Sequence, residues 1–146
     1  MRQAKGYFAC MLVLAGLFVL RVFAQLLQAI HPVSWLPAFD AWDSGVIAYP
    51  VLLSAQMMIV VLLATALWRV ATQAGSPRRW KYRLCFALGG VYFALMAFRF
   101  VAGQTVLSDV AWFSNGLPAF FHMVLAAFVL TLGLSIRRRR AGERHD

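Results

Sequence analysis

The sequence predicts an all-α integral membrane protein built as an antiparallel bundle of four transmembrane helices. Three observations lead there. The 146-residue chain is 62% hydrophobic and only 13% charged, with a mean hydropathy of +0.73, whereas a soluble domain sits nearer half apolar and a quarter charged. Its apolar residues fall into four runs, each close to the ~20 residues that a helix needs to cross about 30 Å of hydrocarbon. Twelve of the fourteen Lys and Arg residues stand in the segments between alternate runs. The length allows one membrane domain, 1–146.

The first run covers 8–30. Arg2 and Lys5 precede it much as they would a signal peptide. Apolar sequence continues past Arg21, however, and no clean small-x-small cleavage site follows, so it reads as a retained helix. The second run, 49–68, has Pro50 in its first turn, where the missing N–H is not needed. The third is 84–103. The fourth, 117–136, again has a proline, Pro118, in its first turn.

Orientation follows from the connections. Segments 31–48 and 104–116 contain Asp40, Asp43 and Asp109 and no Lys or Arg, while the N-terminus, the 69–83 loop and the 137–146 tail carry the cations. The positive-inside rule then puts both termini in the cytoplasm and the two acidic loops outside. That reading places the chain in a plasma membrane, the inner membrane if the cell is bacterial. Trp35, Trp42 and Trp112 are expected at the outer interface, and Trp68, Trp80 and Tyr82 at the inner one. The 31–48 loop, rich in Trp and Pro, is expected to lie over the bundle as a lid and to contain a short interfacial helix. The net charge of +9 is thus a topology signal, with an affinity for anionic headgroups of about 1 kcal/mol per cation. It does not indicate nucleic acid. Membrane lipids, another membrane protein or a second copy of the chain are the expected partners.

The halves echo each other. Pro50 precedes Arg69 by 19 residues and Pro118 precedes Arg137 by 19, and Arg21 of the first run has a counterpart in Arg99 of the third. The pattern fits two duplicated helical hairpins. Four helices that all start and stop at membrane surfaces would produce part of the match without common ancestry.

Arg21 and Arg99 are the most informative positions. An arginine inside a span costs about 2.5–3.5 kcal/mol on insertion scales, so something must offset it. Side chains tilt toward the helix N-terminus, which aims both guanidiniums at the bilayer centre and opposes snorkelling. Other polar residues share their depth. Arg21, Gln25 and Gln28 occupy one face of the first helix, Tyr49 and Gln56 are seven apart on the second, and Tyr92 and Arg99 seven apart on the third. His122 lies about one turn into the fourth, after Asn115, a possible cap. These stripes should converge in a polar pocket open to the outside, with Arg21, Arg99, Gln25, Gln56, Tyr49, Tyr92 and His122 as ligand-binding residues. No Asp or Glu lies in any span. The counter-charge is expected from Asp40, Asp43 or Asp109 of the loops, or from an anionic ligand.

Three functions remain open on these residues. The leading one is a non-catalytic binding or accessory protein for an anionic amphipathic molecule such as a lipid. The second is a redox subunit binding haem b or a quinone, with one or both of His122 and His31, each near the outer interface, as the imidazoles that haem would use. The third is a structural or assembly subunit in which the polar residues only tie helices together. Nucleophile elbow, P-loop, His-Glu-x-x-His and metal-spaced Cys/His motifs are all missing from the sequence, which turns the reading away from an enzyme. Cys10 and Cys85 read as small core residues, and Gly90 with Ala94, beside Gly89, as a close helix contact.

Overall fold

The structure is a computed structural model and describes residues 2–42, 47–74, 78–106, 113 and 115–142. Regular structure among these residues is entirely helical: α1 (Arg2–Ile30), α2 (Phe39–Trp42), α3 (Tyr49–Ala71), α4 (Arg79–Gln104) and α5 (Gly116–Gly142). All but α2 are long and apolar enough to cross a membrane. Even α3, the shortest of the four with 23 residues, reaches about 35 Å. The helices overrun the apolar runs at their charged ends. Thus α4 begins at Arg79 and α5 continues through the arginines at 137–140, because Arg and Lys are good helix formers that need no apolar surroundings. L1 denotes the α1–α3 connection (31–48) and L2 the α3–α4 connection (72–78).

Burial separates two central helices from two peripheral ones. In their most apolar 18-residue windows, 39% of α1 and of α5 is buried, against 11% of α3 and of α4. The interfaces run α3 on α1, α1 on α5 and α5 on α4, and the sequence neighbours α3 and α4 share no substantial interface. Met11, Ala15, Phe18 and Val22 repeat at alternating steps of four and three along α1. They meet Leu63 of α3 and Phe128 of α5 in a core flanked by Leu53, Leu67, Leu125 and Leu132. Removing a buried ring such as Phe18 from such packing typically costs about 3–5 kcal/mol.

The α4–α5 seam is closed by glycines. A Cβ on Gly89 would stand 3.0 Å from Leu130 Cγ, and one on Gly133 2.9 Å from Cys85 Cβ. A Cβ on Gly103 would run into the Phe113 carbonyl. The close contact expected around Gly90 is therefore made by Gly89, while a Cβ on Gly90 meets nothing within 4 Å. One residue of register, about 100° of helix, separates the packed face from the open one. Cys85 belongs to this seam. Cys10 is exposed, which corrects its reading as a core residue, and both thiols are free.

The L2 end shows a Schellman-type stop. Gln73 adopts φ 53°, its N–H bonds to the Val70 carbonyl at 3.3 Å, and the N–H of Ala74 bonds to the Arg69 carbonyl at 3.0 Å. Glycine is the usual residue there. Arg139 Nη2 donates to the Gln73 carbonyl and ties the α3 terminus to α5.

L1 is more deeply engaged than an interfacial segment would be. Trp35 is 75% exposed, and Trp68 and Trp80 are exposed as well, but Trp42 is only 6% exposed. Its indole Nε1 donates to the Pro37 carbonyl at 3.0 Å and its ring stacks on Phe121 at 6.3 Å. Trp112 lies outside the described residues.

Candidate functional site

The buried stripe of α1 changes character as it approaches L1. Through Phe18 it is apolar; from Arg21 onward it carries Arg21, Gln25 and Gln28, all buried. The same repeat that packs the core thus places Arg21 and Gln25 against other helices and Gln28 against the start of L1.

Arg21 is 4% exposed. Its Nη2 donates to the Trp42 carbonyl at 3.2 Å, and its guanidinium carbon lies 5.6 Å from the Phe121 ring centroid, within cation–π range. The short α2 therefore delivers a main-chain carbonyl and an aromatic wall to the arginine. Asp40 of α2 is exposed, so its carboxylate does not descend into the bundle. Its backbone carbonyl accepts from Asn115 Nδ2 at 3.2 Å, which makes Asn115 a strap between L1 and α5. Asp43 and Asp109 lie outside the described residues.

Gln25 is fully buried and Gln56 is 2% exposed. Gln56 Nε2 donates to Gln25 Oε1 at 3.0 Å across the α1–α3 interface. The remaining halves of both amides, Gln25 Nε2 and Gln56 Oε1, are buried with no hydrogen-bond partner, as is the hydroxyl of Tyr49. Tyr49 begins α3, packs edge-on against Phe39 at 5.1 Å and lies within electrostatic range of Arg21. Pro50 beside it starts the helix in which Gln56 follows two turns later. Gln28 plays a different part. Its Oε1 accepts from the Val33 N–H at 2.9 Å, holding the chain as it leaves α1.

The α4–α5 hairpin supplies the other wall. Arg99 is 5% exposed and interacts electrostatically with Tyr92, two turns earlier on α4. The Tyr92 ring packs on His122 of α5 at 5.8 Å and is 36% exposed. His122 lies within electrostatic range of both Arg21 and Arg99. Its Nδ1 is near the Pro118 carbonyl but makes no hydrogen bond of good geometry.

Seven sequence-predicted residues, Arg21, Gln25, Tyr49, Gln56, Tyr92, Arg99 and His122, thus meet around the L1 end of all four long helices. No family model, curated protein or solved structure matches the chain. What the cluster can do must be read from its chemistry.

His31 is not in the cluster. It is exposed just past α1, where its N–H closes the last turn onto the Leu27 carbonyl at 2.7 Å. A bis-imidazole haem site from His31 and His122 therefore has no geometric support. Among the described residues no group of three or more His, Cys, Asp or Glu side chains is arranged to hold a metal ion. Sequence reasoning placed Trp42 at the outer interface and missed Phe39 and Phe121; the three wall the arginine side. Aromatic residues are abundant throughout the chain, and only the packing of L1 on α5 distinguishes these three.

Chemically, the cluster offers two cations, a donor and an acceptor from the glutamine pair, a phenol and an imidazole, all against aromatic rings. Such a set is chemically complementary to an anion that also carries hydrogen-bonding oxygens. The described residues of the cluster contain neither a carboxylate base nor an activated nucleophile.

Proposed function

We propose that the chain is a four-helix membrane protein of antiparallel topology, with both termini cytoplasmic, in a plasma membrane. Its L1-end cluster forms an outward-facing site for an anionic amphipathic molecule, a lipid, and the protein acts as a binding or accessory subunit. Antiparallel order is supported by the pairs Gln25 with Gln56, Cys10 with Thr131 and Gly89 with Leu130. The proposed orientation rests on the cation distribution.

The observation that carries the ligand reading is the set of buried, partnerless polar atoms, Gln25 Nε2, Gln56 Oε1 and Tyr49 Oη, beside two buried guanidiniums. Each such atom costs about 1–3 kcal/mol while unsatisfied, and in a membrane interior water offers little relief. A headgroup bearing hydroxyls satisfies donor and acceptor together while its phosphate or carboxylate meets Arg21 and Arg99. Ligand access requires α2 to swing aside, because Trp42 and Phe121 close over Arg21.

The test is identification, by mass spectrometry, of the molecules retained by protein purified in mild detergent. The unsubstituted chain is expected to hold an anionic lipid in stoichiometric amount, and Arg99→Gln or Gln56→Leu to lose it while remaining folded. Unchanged lipid content with a lowered melting temperature would replace this reading by a purely structural role. A co-purified isoprenoid quinone, or a Soret band that shifts on dithionite reduction, would replace it by a redox role at the same residues.

A further inference from the structure

At the other end of the molecule the seam between α1 and α5 opens. Gly6, Tyr7 and Cys10 of α1 and Thr131, Leu134 and Arg138 of α5 line a groove of about 460 Å³. We propose that this groove holds one acyl chain of an anionic phospholipid, with the phosphate on Arg138. The site is separate from the L1 cluster and shares no residue with it.

The groove exists because small side chains stand where the α1–α5 contact would otherwise close. A Cβ on Gly6 meets nothing within 4 Å, in contrast with the interlocked glycines of the α4–α5 seam. Its lining is mostly apolar, and the Cys10–Thr131 pair within it is already satisfied. Thr131 Oγ1 donates to the Ala127 carbonyl at 2.8 Å, so the 4.0 Å contact between Cys10 and Thr131 has the thiol as donor. No polar atom of that pair awaits a ligand, and an apolar chain can lie over it.

Length and charge choose the occupant. Arg138 follows Thr131 by seven residues, about 10 Å of helix, the scale of a headgroup and the upper part of one chain. Arg138 belongs to the arginine run at 137–140, with Arg69, Arg78, Arg79, Lys81 and Arg83 at the same end and Lys5 beside Gly6. Asp40, the one acidic side chain among the described residues, is at the other end. Among the described residues, the charged side chains at this end are all cationic, each worth about 1 kcal/mol to a headgroup near it. A soluble anion would have no use for the apolar groove, and only a lipid uses both parts.

Cys10 reports on occupancy. In a Cys85→Ala background, which keeps the Cβ facing Gly133, it is the remaining thiol. Its alkylation by N-ethylmaleimide is followed in detergent with rising dioleoylphosphatidylglycerol or dioleoylphosphatidylcholine. Phosphatidylglycerol is expected to slow the reaction at the lower concentration. Arg138→Gln should weaken that protection about fivefold, toward the phosphatidylcholine value, and Gly6→Leu should remove the lipid dependence altogether. Gly6→Leu adds bulk only into open space and improves helix propensity, so the fold survives it. Equal protection by both lipids, no protection, or an unchanged response in Arg138→Gln would overturn the proposal. Arg99→Gln should leave Cys10 protection intact, so the two sites stand or fall separately.

Discussion

Arg21 of α1 and Trp42 of α2 are joined by a hydrogen bond from Nη2 to the Trp42 carbonyl at 3.2 Å, and both pack on Phe121 of α5. One buried cation thereby fixes the path of L1 over the bundle. A carbonyl is a strong acceptor for a guanidinium in a low-dielectric setting, and such charged hydrogen bonds are worth about 1.5–3 kcal/mol.

Arg21→Met keeps the packing volume and removes the charge and its donors. It is expected to release Trp42 while leaving the Met11–Phe18 core intact. The measurement is acrylamide quenching of Trp42 with the other four tryptophans changed to Phe. Quenching should rise in Arg21→Met; unchanged protection would mean that the Phe121 stack alone holds α2.

The glutamine pair separates structure from binding. Gln25→Leu or Gln56→Leu alone leaves the partner amide buried with still fewer partners and should lower stability by about 1–3 kcal/mol. The double replacement removes both amides and should recover most of that loss. A thermal-unfolding double-mutant cycle reads the coupling. All three variants should lose the retained lipid, including the double variant in which stability has recovered.

Neighbouring glycines on α4 should behave oppositely. Gly89→Leu drives a side chain into Leu130 and Val129 and should separate α4 from α5, with a loss of at least ~1–3 kcal/mol from overpacking. Gly90→Leu points into open space and should be neutral or slightly stabilising. Melting temperatures of the pair in one detergent decide it, and equal effects would refute the register of the seam.

Gln73→Gly is expected to stabilise. A non-glycine residue at φ 53° carries a left-handed penalty of about 1 kcal/mol, and glycine removes it without touching the Arg139 contact, which uses the main-chain carbonyl. A higher unfolding temperature is the result sought. A lower one would mean that the Gln73 side chain itself contributes to the L2 end.

The cluster residues were legible because charge and polarity inside an apolar run are conspicuous. Arg21, Gln25, Gln56 and Arg99 could be named from their spacing with other polar residues, since a helix places i, i+4 and i+7 on one face, and His122 from its depth in the fourth run. Their division of labour was not legible. Gln28 caps the chain leaving α1, Asn115 straps L1, and His31 stays at the surface, although all three resemble their pocket neighbours in depth and type. Those outcomes depend on how a Pro-rich loop folds, and no periodicity encodes that path.

By itself the sequence determined that the chain is helical, that four of its helices are long and apolar enough to cross a bilayer, and which polar residues lie within them. Main-chain hydrogen bonding and hydrocarbon thickness leave no other arrangement for such runs. Tertiary structure alone decided which helices are central. It made Gly89 and not Gly90 the contact, buried Trp42 over Arg21, and left the α1–α5 seam open at Gly6. Each of these depends on side-chain volumes meeting across an interface, where one residue of register or one missing Cβ changes which surfaces touch.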